Sequence, residues 1–174
     1  MTNGAFLENL RQRIADTDVP YSYPDTELLR YIDDAVGYVC RELAERGEGN
    51  LVQTGFFAQG SPVPSRFIAW VGQVPFQVSC GEIQTDTPMF ARYHAFPASL
   101  YELSLAGSAW ASARFALEAY EGLVMQVAVI LAKRRNEWDT SPDAAIPRLV
   151  KSMVSGSPEV PQGAAIQQGG EVLA

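Results

Sequence analysis

Apolar side chains recur at Leu28, Leu29, Ile32, Val36, Val39, Cys40 and Leu43. Steps of three, four and seven put them on one face of a helix, and the spacing predicts that helix over 25–46. Its start is marked by Pro24, by Asp25 as a natural N-cap and by Glu27 in the first turn, where the helix dipole favours a carboxylate. Ser22 competes as cap, because Ser22 and Asp25 spell a variant capping box. Gly47 is placed to end the helix. Phe6, Leu7, Leu10 and Ile14 share a face of a shorter helix over 4–15, closed by Pro20. The two form an expected antiparallel helical pair within 1–50.

The pattern changes over 51–107, where Gly, Pro, Ser, Gln and Thr rise and periodicity shortens. Leu51–Phe57, Phe67–Val71 and Val74–Val78 read as strands, with Gly72-Gln73 as a two-residue hairpin loop that confines Pro75 to an edge. Tyr101–Leu105 alternates as a half-buried strand, and Ala106-Gly107 follows as a turn. The stretch 84–99 reads as a loop carrying Phe90, Tyr93 and Phe96, a composition often found at binding surfaces. Helical spacing returns at Leu117, Tyr120, Leu123, Val124, Val127, Ile130 and Leu131. It predicts one long helix over 109–136, or two consecutive ones, weakest at Gly122 and ending in Lys133-Arg134-Arg135. After the break at Asp139–Pro142, Pro147–Val154 reads as a short amphipathic helix. From Ser155 on, Gly, Pro and Gln dominate and apolar residues are too few to form a core.

The fold class expected is α+β, mainly α. About four helices form a bundle, with a β-rich insert between the second helix and the long C-terminal helix, and an extended C-terminal tail. The divisions are 1–50 for the helical hairpin, 51–107 for the insert, 108–154 for the helices completing the bundle, and 155–174 for the tail.

Charge sharpens this division. The chain has 20 acidic and 13 basic residues, a net charge of −7. Residues 1–50 hold 10 acidic and 5 basic side chains, and residues 51–100 hold 2 of each. An acidic chain without a basic stripe is poorly suited to gripping phosphates, although acidic walls let nucleic acid slide past. No apolar run reaches the roughly 18 residues of a membrane helix, and the first residues lack the basic and apolar regions of a secretory signal. Cys40 and Cys80 read as small buried hydrophobes in a reducing compartment, a disulfide between them remaining the alternative.

The equipment for catalysis is sparse. His94 is the only histidine, and neither cysteine has a signature around it. No CxxC, HxxH or HExxH spacing provides for a metal, and no glycine pattern provides for a phosphate. Asp33 and Asp34 are neighbours that diverge on a helix and read as a solvated face. An enzyme would have to draw on Asp33, Asp34 and His94. The expectation is a non-enzyme without cofactors.

Three segments carry a resemblance. Pro24-Asp25-Thr26-Glu27-Leu28-Leu29-Arg30-Tyr31-Ile32-Asp33-Asp34-Ala35, then Leu123–Ala132 followed by Arg135-Asn136-Glu137-Trp138, then Ile146–Met153 occur in an order that resembles the head–tail connector (adaptor) proteins of tailed phages. The resemblance covers about 60 residues. It implies a virion protein, made in the host cytoplasm and placed at the neck. There it forms a homo-oligomeric ring, usually dodecameric, that joins the portal to the tail or nozzle while genomic DNA passes through its centre. It further implies that the C-terminal segment meets the portal, which selects Gln162, Ile166, Gln167, Val172 and Leu173. Phe90, Tyr93 and Phe96 are the candidates for the tail-side contact. The alternative is a non-viral helical adaptor that binds a protein partner through the aromatic insert.

Overall fold

The computed structural model describes residues 1–134 and 141–155, the side chains of 141–144 excepted. Among these residues there are five α-helices: α1 (Asn3–Arg13), α2 (Asp25–Glu45), α3 (Leu100–Leu105), α4 (Glu121–Lys133) and α5 (Ser141–Ser155). Five strands lie between α2 and α3: β1 (Val52–Phe57), β2 (Phe67–Trp70), β3 (Gln77–Ser79), β4 (Glu82–Gln84) and β5 (Met89–Ala95). The expected mainly helical bundle is thereby corrected to a mixed fold. Helices and two antiparallel sheets each build a core of their own.

Helix α2 is the axis of the larger core. Leu28, Leu29, Ile32, Val39, Cys40 and Leu43 are all buried, as the stripe requires. Asp25 does not cap it: Pro24 holds the cap position, and Asp25 is the first helical residue. The Asp25 carboxylate pairs instead with Arg11, a buried guanidinium that also meets Asp16 and lies 3.9 Å from the centre of the Tyr21 ring. Ser22 is no cap either, since its backbone N–H and that of Tyr23 donate to the Asp16 carboxylate. The α1–α2 connection is therefore knit around one buried ion pair.

The long helix over 109–136 is the main correction. Residues 113–115 run alongside the start of the chain, where the Asn3 N–H donates to the Ala113 carbonyl and the Phe115 N–H to the Met1 carbonyl. Phe115 stacks on Phe6 at 4.3 Å between ring centres. Burying that aromatic pair outweighs the helical spacing of the segment, in which Ser112 and Phe115 are only middling helix formers, so regular helix begins only at Glu121. Helix α5 starts earlier than the expected 147–154, with Pro147 inside it.

Tyr101–Leu105, expected as a strand, is helix α3. Ser99 and Glu102 supply the reason: the Ser99 hydroxyl accepts from the Glu102 N–H, the first half of a capping box.

In the insert, β5 is the central strand, flanked by β1 and β2, both antiparallel to it. It replaces the loop that the sequence predicts over 84–99; its buried positions include the small residues Ala91 and Ala95, which give weak alternation. Gly55 is required where it stands: a Cβ there would come within 2.6 Å of the Phe57 ring. Gly72-Gln73 makes no hairpin. The hairpin is β3–β4, turning at Cys80-Gly81, both with positive φ as a type I′ turn demands. Cys80 is thus exposed, and only Cys40 is buried; both are free thiols.

Candidate functional site: an aromatic sheet face and a cleft beside it

Period-two geometry sends neighbouring residues of β5 to opposite faces. Ala91, Tyr93 and Ala95 face the smaller core with Phe57 and Ile83. Trp70, Phe67 and Phe76 pack around them, Trp70 edge-on to Phe57 at 5.3 Å. Phe90, Arg92 and His94 share the other face. Its end beside the helical body buries His94, while its far end is bare. There Phe90 stands directly across from Phe56, with ring centres 5.1 Å apart. Phe90 is 74% exposed and Phe56 59%. Two adjacent bare phenylalanines on a sheet with no charged side chain in β1 or β2 form a desolvation-ready patch.

The three residues expected to make the tail-side contact are therefore separated. Phe90 is on the bare face, Tyr93 is in the insert core, and Phe96 lies beyond the strand end against the helical core. Phe56 was not singled out. Its signal is the register, which no single strand reveals. Gln162, Ile166, Gln167, Val172 and Leu173 lie outside the described residues.

A cleft of about 530 Å³ opens where the insert meets the helices. Asp33, Asp34, Tyr38 and Arg41 line it from α2, Arg66 from the lead into β2, and Phe96–Leu100 from the link to α3. Phe115 and Leu131 contribute apolar wall. The two aspartates have separate roles. Asp33 accepts from the Ser99 hydroxyl at 2.6 Å, the Leu100 N–H at 2.7 Å and the Tyr101 N–H at 3.0 Å, so it holds the start of α3. Asp34 stays at the mouth, its pKa raised by partial burial and then by the Asp33 charge, with Arg41 pulling it back down. Arg41 lies 5.6 Å from the Phe96 ring centre, and among the described residues neither Arg41 nor Arg66 has an ion-pair partner.

His94 does not join the aspartates. It is 4% exposed, does not line the cleft, and neither ring nitrogen finds a partner. Cys40 is equally remote from chemistry, its thiol pushed up to about 12 by burial. Among the described residues no group of three His, Cys, Asp or Glu comes together, and no helix is long and apolar enough to cross a membrane. Comparison of the chain with protein-family models, with curated proteins and with solved structures returns no match.

Proposed function

We propose that the protein is a structural assembly component whose insert docks onto another protein through the Phe56–Phe90 face. A head–tail connector of a tailed phage is the specific role. In that role the chain forms a ring with copies of itself between portal and tail, DNA passes through the centre, and the virion neck is its location. The observation that carries the docking is the bare aromatic pair on a charge-balanced insert attached to an acidic body. Aromatic side chains with few rotatable bonds are the usual anchors of protein interfaces, and their desolvation does not have to overcome like-charge repulsion. The acidic body fits a channel through which DNA moves without adhering. The same aromatic face serves the second reading, a non-viral adaptor, equally well.

Light scattering and electron microscopy of the protein with and without portal protein test the assignment. A ring or a stable portal complex is expected, and the double substitution Phe56→Ser, Phe90→Ser weakens capture of the tail component by that assembly more than tenfold. A chain that stays monomeric and ignores portal refutes the connector role. A double variant that captures the tail component as well as the parent refutes the docking face.

A further inference from the structure

We propose that the cleft between α2, the 96–100 link and α4 is a peptide-binding site, and that its occupant is Glu171-Val172-Leu173 of the same chain. The contact lies within one chain and does not need the connector reading; in that reading, portal docking draws Val172 and Leu173 out of the cleft. Three observations lead to it.

The first is the chemistry of the cleft. Arg41 and Arg66 stand at its rim with no ion-pair partner among the described residues, above a floor that includes Phe96, Leu100 and Leu131. A guanidinium fork matches a carboxylate in geometry as well as charge. Asp34 at the mouth would repel a simple anion. A peptide, however, brings backbone N–H donors that Asp34 can accept. The site therefore selects a carboxylate followed by apolar residues on a polypeptide.

The second is the sequence outside the described residues. The segment 156–174 contains Glu159 and Glu171 and no Lys, Arg or His. Each glutamate precedes a valine, and only Glu171-Val172-Leu173 supplies two consecutive apolar side chains behind the carboxylate.

The third is where the described helix α5 ends, at Ser155. Arg46 donates to the Lys151 carbonyl and, at 2.6 Å, to the Ser155 hydroxyl, fixing the end of α5 against the end of α2. Arg41 is five residues earlier on α2, roughly 8 Å along the axis. The fifteen residues 156–170 span at most about 50 Å, so the reach is ample. Tethering supplies an effective concentration on the order of 1 mM, which an intrinsic affinity of about 0.1 mM converts to roughly tenfold occupancy over the free state.

Hydrogen exchange on the full-length chain, read at 171–174 and at 96–99, tests the contact. In the parent protein the 171–174 amides are expected to exchange roughly tenfold more slowly than the free-chain rate, independently of protein concentration. Glu171→Arg and Arg41→Glu each abolish that protection, and their combination restores at least half of it. Glu159→Arg leaves it unchanged. Arg41 is exposed, so Arg41→Glu does not threaten folding, and unchanged circular dichroism of both variants checks this. Free-chain exchange in the parent, indifference to Glu171→Arg, or protection that grows with protein concentration overturns the proposal.

Discussion

Replacing Asp33 by alanine probes the joint between the helical body and the insert. Its carboxylate satisfies three donors at once: the Ser99 hydroxyl and the Leu100 and Tyr101 N–H groups. Two of those are orphan donors of a helix start, and the third fixes the hydroxyl that caps the Glu102 N–H. A hydrogen bond to a charged group contributes about 1.5–3 kcal/mol, and loss of an N-cap costs about 1. The three bonds share one anion and are part-buried, so they do not add. The expected loss is about 2–3 kcal/mol. For a chain of this size that corresponds to a fall in Tm of roughly 4–12 °C. Asp33→Asn keeps an acceptor oxygen and loses the charge, so it should fall between, near 1 kcal/mol. Urea unfolding followed by circular dichroism gives both numbers. Hydrogen exchange at 100–105 should show α3 opening first. If Asp33→Ala costs less than about 0.5 kcal/mol, α3 is held by packing and the capping argument is wrong.

Three further outcomes follow from particular side chains. In the native protein a thiol reagent at pH 8 should modify Cys80 rapidly and leave Cys40 untouched until unfolding, because burial pushes the Cys40 pKa up to about 12; a thiol titration in native and denaturing buffer reads this directly. Asp34 has its folded pKa raised above the unfolded value, so its ionisation opposes folding once pH rises through the folded pKa. Asp34→Asn should accordingly raise the urea midpoint at pH 7, with the gain shrinking as pH falls through the raised folded pKa and gone below about 4, the ordinary Asp range. His94 is buried with both nitrogens unpartnered, so His94→Leu should leave stability within about 1 kcal/mol of the parent or above it, as measured by urea unfolding.

The helices were legible where burial is one-sided. The stripe from Leu28 to Leu43 names the buried face of α2 almost residue for residue, because a long amphipathic helix displays its environment in its own period. The neutral charge of the insert was equally visible, whereas its turn was not: the expected Gly72-Gln73 loop makes no hairpin, and Cys80-Gly81 does. Strand β5 was not visible either, because its inward positions carry alanines. Helix α3 is disguised by the alternation of Tyr101, Leu103 and Leu105, which suits a strand, although Ser99 and Glu102 mark a helix start. Of the aromatic face, Phe90 was legible and Phe56 was not.

By itself, the order of residues determined the apolar face of α2, the separate character of the insert and the acidity of the body. Each is a property of a local window or of a sum, and needs no partner to be expressed. Tertiary structure alone decided where helix gives way between Ser112 and Tyr120, because the gain comes from Phe115 meeting Phe6 across more than one hundred residues of chain. It alone placed Phe56 beside Phe90 and left Arg41 and Arg66 facing one cleft. Those arrangements depend on strand register and helix docking, whose free energies belong to pairs of distant segments and are written in neither segment alone.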